Sequence, residues 1–289
     1  MPRLGIDTAI HLGIELGIDL ATAAPIAPTL PPAPPTLAEI MAAYDLTVQV
    51  GGVDQRTSLF TGDLYNVDGV TTKVGAIVDH YDPTHLLEQA VSGAQVAVPA
   101  ADAVLNGAQA LTFNALQHYT SNRPASAWRH QHSGIGFSCM VWTSTLTGIR
   151  CLWATINIAA TAGNTGTYVT TSPTAFTFRS YNAGAITINV SSIAVTYPVG
   201  SACTTAVSVL DGAAQEVQTR SDGAQVSSVS ASVLTAADPA SPLRFGAHLD
   251  GTLPFQGRLG FLLFAPFRPT PAQITLLNQY LLPKYGVTV

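Results

Sequence analysis

Residues 175–197 read AFTFRSYNAGAITINVSSIAVTY, and this stretch decides the fold class. Two runs rich in aromatic and β-branched residues, Ala175 to Tyr181 and Ala185 to Tyr197, flank the short segment Asn182-Ala183-Gly184. Residues of these types fit pleated strands, and an Asn- and Gly-containing segment between two such runs is typical of a hairpin turn. The stretch therefore predicts two antiparallel strands.

The same pattern of short strand-type runs, broken by Gly, Asn, Asp and Pro, extends over the chain from about residue 46. Further strands are predicted at Gly107 to Phe113, Phe137 to Ser144, Arg150 to Ile158, Ala206 to Leu210, Phe245 to His248 and Leu259 to Phe264, with turns at Asp211-Gly212 and Asp222-Gly223. Many short antiparallel strands with frequent turns predict an all-β sandwich or jelly roll.

Short helices are predicted on both sides of the strands. Thr36 followed by Glu39 is a capping box that opens a helix ending near Tyr44. Near the C-terminus, Thr270 precedes Pro271, a favoured first helical residue, and Ile274, Leu277 and Leu281 recur at helical spacing. We therefore expect one domain over residues 37–289, closed by a C-terminal helix.

An N-terminal arm is predicted over residues 1–21, where large aliphatic side chains occupy almost every even position. These residues are Leu4, Ile6, Ile10, Leu12, Ile14, Leu16, Ile18 and Leu20. Period-two alternation indicates a strand. The isoleucines at every fourth position allow a helical interpretation, but three glycines in this stretch disfavour it.

The linker at residues 22–36 is rich in proline, which favours an extended spacer. A strand beyond such a spacer is expected to pair with another chain, as an anchoring or oligomerisation arm. The alternative is an arm that folds back on its own sandwich.

Composition excludes several classes of partner. Charged residues make up 10% of the chain and the net charge is −5, so we expect no nucleic-acid partner. No apolar run approaches the roughly 18 residues of a membrane span, and acidic residues interrupt the first twenty residues, so we expect neither a membrane protein nor a secretory signal.

Cys139, Cys151 and Cys203 are expected to be buried free thiols, with a Cys139–Cys151 bridge as the alternative.

Several motifs resemble the concanavalin A-like (laminin G-like) jelly-roll domains. They are Phe245-Gly246-Ala247, Phe255-Gln256-Gly257-Arg258-Leu259-Gly260, the closing helix that ends at Tyr285-Gly286, and, upstream, Leu105-Asn106-Gly107-Ala108-Gln109-Ala110-Leu111-Thr112-Phe113. The resemblance covers about residues 45–286. Within this group, the chain is similar to domains of phage and phage-like virion proteins. It implies a concanavalin A-like jelly-roll β-sandwich with an extended N-terminal arm and short flanking helices.

No set of residues indicates catalysis. Members of this fold that cleave glycans use closely spaced acids in a Glu-x-Asp-x-x-Glu pattern, whereas Glu15, Glu39, Glu88 and Glu216 are isolated here. The cluster from Asp79 to His85 and the pair His130-Gln131-His132 carry metal-capable side chains, but we interpret both as polar loops. The resembled fold sometimes holds a structural Ca²⁺ on its loops, and nothing in this chain indicates one. We expect no enzyme, no cofactor and no bound metal.

Two functions remain open. The first is a virion surface structural protein, a capsid decoration, head spike or fibre subunit, which forms a homo-oligomer and contacts other virion proteins through its arm. The alternative is a carbohydrate-binding module for host surface polysaccharide. Its candidate residues, Tyr119, Asn122, Arg123, Trp128 and Arg129, combine aromatic rings with hydrogen-bonding groups. The competing interpretation of Trp128 is a ring that packs under the edge of the sandwich.

Overall fold

The computed structural model describes residues 33–50, 53–70, 72–114, 116–124, 136–144, 148–156, 166–182, 185–194, 196–209, 216–222, 224–230 and 242–289. Residues Pro34–Val289 form one compact unit. The predicted arm and most of the proline-rich linker lie outside the described residues, as do Trp128, Arg129 and His130-Gln131-His132.

The described residues contain two α-helices and nineteen β-strands. In chain order they are α1 (Leu37–Tyr44), β1 (Thr47–Val50), β2 (Val53–Arg56), β3 (Ser58–Thr61), β4 (Tyr65–Val67), β5 (Val74–Val78), β6 (Leu86–Glu88), β7 (Ala100–Asp102), β8 (Ala108–Phe113), β9 (Tyr119–Pro124), β10 (Gly136–Ser144), β11 (Arg150–Ala154), β12 (Gly166–Ser172), β13 (Ala175–Asn182), β14 (Ala185–Ala194), β15 (Ala202–Val209), β16 (Glu216–Ser221), β17 (Ala224–Ser230), β18 (Pro242–Phe245), β19 (Gly257–Ala265) and α2 (Pro271–Tyr285).

The strands form two antiparallel sheets and a small β1–β2 pair. The eight-stranded sheet has the order β17-β16-β15-β10-β19-β8-β7, with β3 also paired to β19, and the nine-stranded sheet has the order β14-β13-β12-β11-β18-β9-β6-β5-β4. Successive strands from β8 to β11 alternate between the two sheets, and β18 and β19 return to lie among them. This crossing pattern is typical of a jelly roll, and the predicted all-β sandwich is confirmed.

The main core lies between the two sheets and is rich in aromatic rings. Phe113 meets Phe245 at a centroid distance of 5.0 Å and Phe255 at 5.7 Å. Trp142, fully buried, meets Phe255 at 6.1 Å. Burying each such side chain contributes roughly 1.5–3 kcal/mol, so this cluster is a main source of stability.

A second core lies between the outer face of the eight-stranded sheet and the two helices. Tyr44 of α1, together with Leu277, Leu281 and Tyr285 of α2, is buried there against Phe261. The predicted apolar face of α2 is therefore confirmed.

The predicted capping box at Thr36 is present, and the predicted cap at Thr270 is also a capping box, with Gln273 as its second member. Thr36 Oγ1 accepts a hydrogen bond from the Glu39 amide at 3.3 Å, and Glu39 Oε2 accepts one from the Thr36 amide at 2.6 Å. Thr270 and Gln273 repeat this exchange at 3.2 and 2.8 Å. Gly286 ends α2 with a φ of 77°, a conformation that favours glycine.

Two glycines of the quoted motifs are required by the backbone. Gly257 has a φ of 151°, and a Cβ at that position would lie 1.9 Å from the Thr143 carbonyl oxygen, so β19 and β10 approach too closely for a side chain. Gly246 has a φ of 85° and follows the last residue of β18. Because of that turn, the strand predicted at Phe245 to His248 is wrong, and the strand observed is Pro242–Phe245.

One further strand prediction is corrected, and the prediction of buried free cysteines is confirmed. The strand predicted at Arg150 to Ile158 ends at Ala154. The three cysteines are free and buried, and Cys139 and Cys151 lie in different apolar clusters, so the alternative of a Cys139–Cys151 bridge is wrong. None of the helices in the described part of the chain is long and apolar enough to cross a membrane.

Candidate functional site

A polar pocket of about 300 Å³ lies where β3 approaches β6 and β9. Its lining consists of Asp54, Arg56, Ser58, Asp82, His85 and Arg123. Asp54 and Arg56 come from β2, Ser58 from β3 and Arg123 from β9, while Asp82 and His85 belong to the loop between β5 and β6. We call this site the polar pocket.

The floor of the polar pocket depends on Asp79, which is buried at the end of β5. Its Oδ1 accepts hydrogen bonds from the Leu59 amide at 3.0 Å and the Tyr81 amide at 2.9 Å. Its Oδ2 lies 2.8 Å from His85 Nδ1. These contacts join the loop that carries Asp82 and His85 to β3, and they compensate for burial of the carboxylate.

Both ring nitrogens of His85 have polar partners, and the ring also packs against an aromatic side chain. Its Nδ1 also lies 3.2 Å from Ser58 Oγ, and its Nε2 lies 3.1 Å from Ser121 Oγ. The ring meets Phe60 edge-on at 5.6 Å. The His85 side chain is 3% exposed, so it supplies a rigid floor with little surface of its own.

The wall of the polar pocket is an ion pair supported by a turn. Arg123 Nη2 donates to Asp82 Oδ2 at 2.5 Å and to Thr84 Oγ1 at 3.0 Å. Asp82 Oδ1 accepts from the Thr84 hydroxyl at 2.6 Å and from the Thr84 amide at 3.0 Å. The Thr84 hydroxyl, followed by Arg123, lowers the pKa of Asp82 well below its usual range, so this carboxylate is ionised at neutral pH.

Two residues predicted for glycan binding lie at this site. Arg123 lines the polar pocket. Asn122 is exposed beside it, and its side chain donates to the Thr84 carbonyl at 2.9 Å and accepts from the Leu86 amide at 3.0 Å. Asn122 therefore fastens β9 to the Asp82 loop and positions the wall.

Tyr119 requires a correction, because its ring is fully buried. Its hydroxyl donates to the Val74 carbonyl at 2.6 Å and accepts from the Val96 amide at 3.1 Å. Burial raises the pKa of Tyr119 to about 12. The ring has no surface on which a sugar can stack, so Tyr119 is a core residue. Trp128 and Arg129 lie outside the described residues.

Asp54, Arg56 and Ser58 were not singled out from the sequence. They alternate with Gln55 and Thr57, which are 2% exposed. Alternation places the three residues on one face of the chain, and this pattern is the only feature of the sequence that could have pointed to them. It does not show that the face meets a loop some 25 positions later in the chain.

A second, smaller cleft of about 160 Å³ lies on the outer face of the nine-stranded sheet. Tyr168, Thr170, Thr177 and Arg179 line it, with Leu253 at its rim. Arg179 Nη1 already donates to the Tyr168 hydroxyl at 2.9 Å. The polar pocket has about twice the volume and carries Arg56, which forms no ion pair with another described residue.

Metal-capable side chains do not gather into a coordination site in the described part of the chain. No group of three or more His, Cys, Asp or Glu residues there could hold a metal ion. In the Asp79 to His85 cluster, Asp79 and His85 bond to each other, and Asp82 bonds to Arg123.

Comparisons with known proteins found distant structural likenesses. No family model matches the chain, and no curated protein matches it. Among solved structures, the CBM40 of Ruminococcus gnavus IT-sialidase, bound to alpha2,3 sialyllactose, matches with a TM-score of 0.43 and 10% identity over 50% of this chain and 82% of that one. The Trypanosoma rangeli sialidase matches with a TM-score of 0.49 and 12% identity over 86% of this chain and 36% of that one.

An arabinofuranosidase, complexed with arabinofuranosyl-alpha-1,2-xylobiose, matches with a TM-score of 0.49 and 14% identity, over 75% of this chain and 52% of that one. Because these matches are distant, the fold is assigned from the sheet order of this chain itself.

Proposed function

We propose that this protein is a non-enzymatic carbohydrate-binding protein that holds a neutral sugar in the polar pocket. The observation that carries the proposal is the pairing of donors and acceptors within one pocket of about 300 Å³, where Arg56 and Arg123 face the same space as Asp54 and Asp82. Ligand sites in proteins begin at about this volume.

Sugar hydroxyls both donate and accept hydrogen bonds, so a sugar needs both kinds of partner. Ionised carboxylates accept only, and guanidinium groups donate only. Asp82 and Arg123 are held in place by Thr84, and Arg56 is exposed with no ion pair to another described residue. A wall that is ordered before the ligand arrives loses less conformational entropy on binding.

The absence of catalysis is part of the proposal, and the state of Asp82 supports it. Glycoside hydrolysis needs one carboxylic acid whose pKa is raised, so that it can protonate the leaving group. The pKa of Asp82 is shifted in the opposite direction. A residue of this kind binds hydroxyl groups but does not act as a general acid at neutral pH.

The test is binding of neutral oligosaccharides, first on a glycan array and then by calorimetry. R123Q and D82N each leave a charged partner unpaired in the wall, so each should weaken binding at least about tenfold. R258Q is the matched control, because Arg258 forms a comparable ion pair with Asp102 at 2.7 Å and does not line the polar pocket. Unchanged binding by R123Q, or equal loss in R258Q, would contradict the proposal.

The predicted role on a virion surface depends on the arm at residues 1–21, which lies outside the described residues, and it stays a prediction. Light scattering of the full chain and of a chain without residues 1–35 tests its oligomeric part. A defined oligomer that becomes a monomer on truncation would support an assembly arm. Monomers in both cases would contradict the homo-oligomer.

A further inference from the structure

A cleft of about 500 Å³ lies between the outer face of the eight-stranded sheet and the beginning of α2. Arg220, Ser208 and Gln218 contribute from the sheet, while Arg268, Pro271 and Ile274 contribute from the helix side. We call it the arginine cleft. Its volume lies well inside the range of about 300–1,000 Å³ that small-molecule sites occupy.

The register of the sheet explains how the polar groups come together. Ser208 of β15 lies opposite Gln218 of β16, and Arg220 is two residues further along the same strand. Residues two apart share a face, whereas Thr219 between them is fully buried. Ser208, Gln218 and Arg220 therefore project toward the same side as α2.

The charge of the arginine cleft is unbalanced. No Asp or Glu of the described residues lines it, and neither Arg220 nor Arg268 forms an ion pair with another described residue. By contrast, Arg123 and Arg258 each have a carboxylate partner. In a chain of net charge −5, two guanidinium groups that face one cleft without a carboxylate partner among the described residues favour an anionic ligand.

The beginning of α2 forms one wall of the arginine cleft, but its backbone amides do not add a binding site for an anion. The Gln273 amide donates to Thr270 Oγ1 at 3.2 Å, and the Thr270 amide donates to Gln273 Oε1 at 2.8 Å. Because the capping box occupies these amides, a ligand in the arginine cleft would be held by the two arginines and by the shape of the cleft.

We propose that the arginine cleft binds an acidic sugar, through a carboxylate or sulfate group held by Arg220 and Arg268. Guanidinium forks match the planar geometry of a carboxylate, and the Ser208 hydroxyl offers a partner for sugar hydroxyls. Pro271 and Ile274 supply apolar surface for the C–H face of the ring. No aromatic ring among the described lining residues is placed to stack a nucleobase, which disfavours a nucleotide.

The test uses calorimetry with four probes. They are a hexasaccharide of alternating glucuronate and N-acetylglucosamine, its carboxyl-reduced form, a sulfated hexasaccharide, and inorganic sulfate. The variants are R220Q and R268Q, both at partly or fully exposed positions where glutamine removes the charge and keeps a polar side chain. R258Q is the matched control, because Arg258 is a partly exposed arginine that lines neither the arginine cleft nor the polar pocket.

We expect the glucuronate or the sulfated hexasaccharide to bind, and the carboxyl-reduced form to bind at least about tenfold more weakly than the glucuronate form. R220Q and R268Q should each weaken acidic-sugar binding about tenfold, which corresponds to about 1.4 kcal/mol, whereas R258Q should not. Added salt should weaken binding further.

Binding of the carboxyl-reduced form as tightly as a glucuronate form that itself binds, no binding of either acidic hexasaccharide, or unchanged binding by both variants would overturn the proposal. Inorganic sulfate that binds as tightly as the hexasaccharides would overturn its sugar part. This site is independent of the polar pocket, since neutral-sugar binding should be sensitive to R123Q and insensitive to R220Q. Failure of one proposal is therefore distinguishable from failure of the other.

Discussion

Replacing Tyr119 by phenylalanine separates a core role for this residue from a sugar-binding role. The substitution keeps the ring, which is fully buried and meets Phe113 edge-on at 5.8 Å. It removes only the hydroxyl, which donates to the Val74 carbonyl at 2.6 Å and accepts from the Val96 amide at 3.1 Å. The change therefore tests two buried hydrogen bonds without creating a large cavity.

The loss of stability in Y119F follows from the backbone groups that lose their hydrogen-bond partner. The Val96 amide loses its acceptor in a buried environment, and an unsatisfied buried donor costs about 1–3 kcal/mol. We expect a loss of about 2 kcal/mol in the free energy of unfolding, which lowers Tm by about 4–8 °C for a domain of this size. Affinity for neutral sugars should not change, because the ring has no exposed surface.

The assay is urea unfolding followed by fluorescence, with calorimetric titration of the same samples. Y65F is the control, since the Tyr65 hydroxyl has no hydrogen bond to another described residue and its loss should change stability by no more than about 0.5 kcal/mol. If Y119F kept full stability but bound sugar ten times more weakly, the assignment of Tyr119 to the core would be refuted.

Three further outcomes are expected. G257A should lose at least about 3 kcal/mol of stability, or fail to fold, because its Cβ would lie 1.9 Å from the Thr143 carbonyl oxygen; normal urea midpoints would contradict this. Asp82 has a folded pKa below its unfolded value, so its stabilising contribution is present above about pH 4 and is lost as the pH falls further; D82N should show a flatter acid-unfolding curve. Burial lowers the pKa of His248, so the unfolded state binds the proton more readily and stability should fall as the pH drops below about 6.5; H248Q should reduce that slope in unfolding measured from about pH 7 to pH 5.

Local patterns were sufficient for the secondary structure at both ends of the domain. The capping boxes at Thr36 and Thr270 begin the two helices, and Gly286 ends the second. Such signals act within a few residues, because an N-terminal side chain satisfies amides of its own first turn. The strand boundary at Phe245 was misplaced because the turn at Gly246, with its positive φ, packs against Phe113 and Gln117, which are distant in the sequence.

The candidate site was predicted only in part. Of the residues predicted for glycan binding, Arg123 lines the polar pocket, Asn122 fastens the loop and Tyr119 belongs to the core. Period-two alternation assigns residues of one strand to two faces, and it does not say which face is turned inward. That choice depends on the opposite sheet, which no local pattern contains.

From the sequence alone come the all-β class, the two short helices, the low charge and the arm that stays a prediction. Only the tertiary structure brings Asp54, Asp82 and Arg123 to one pocket, and Arg220 and Arg268 to one cleft. The reason is physical: strand and helix signals are local in the chain, whereas a binding site is made where distant segments pack, and their packing is decided by burial of the shared core.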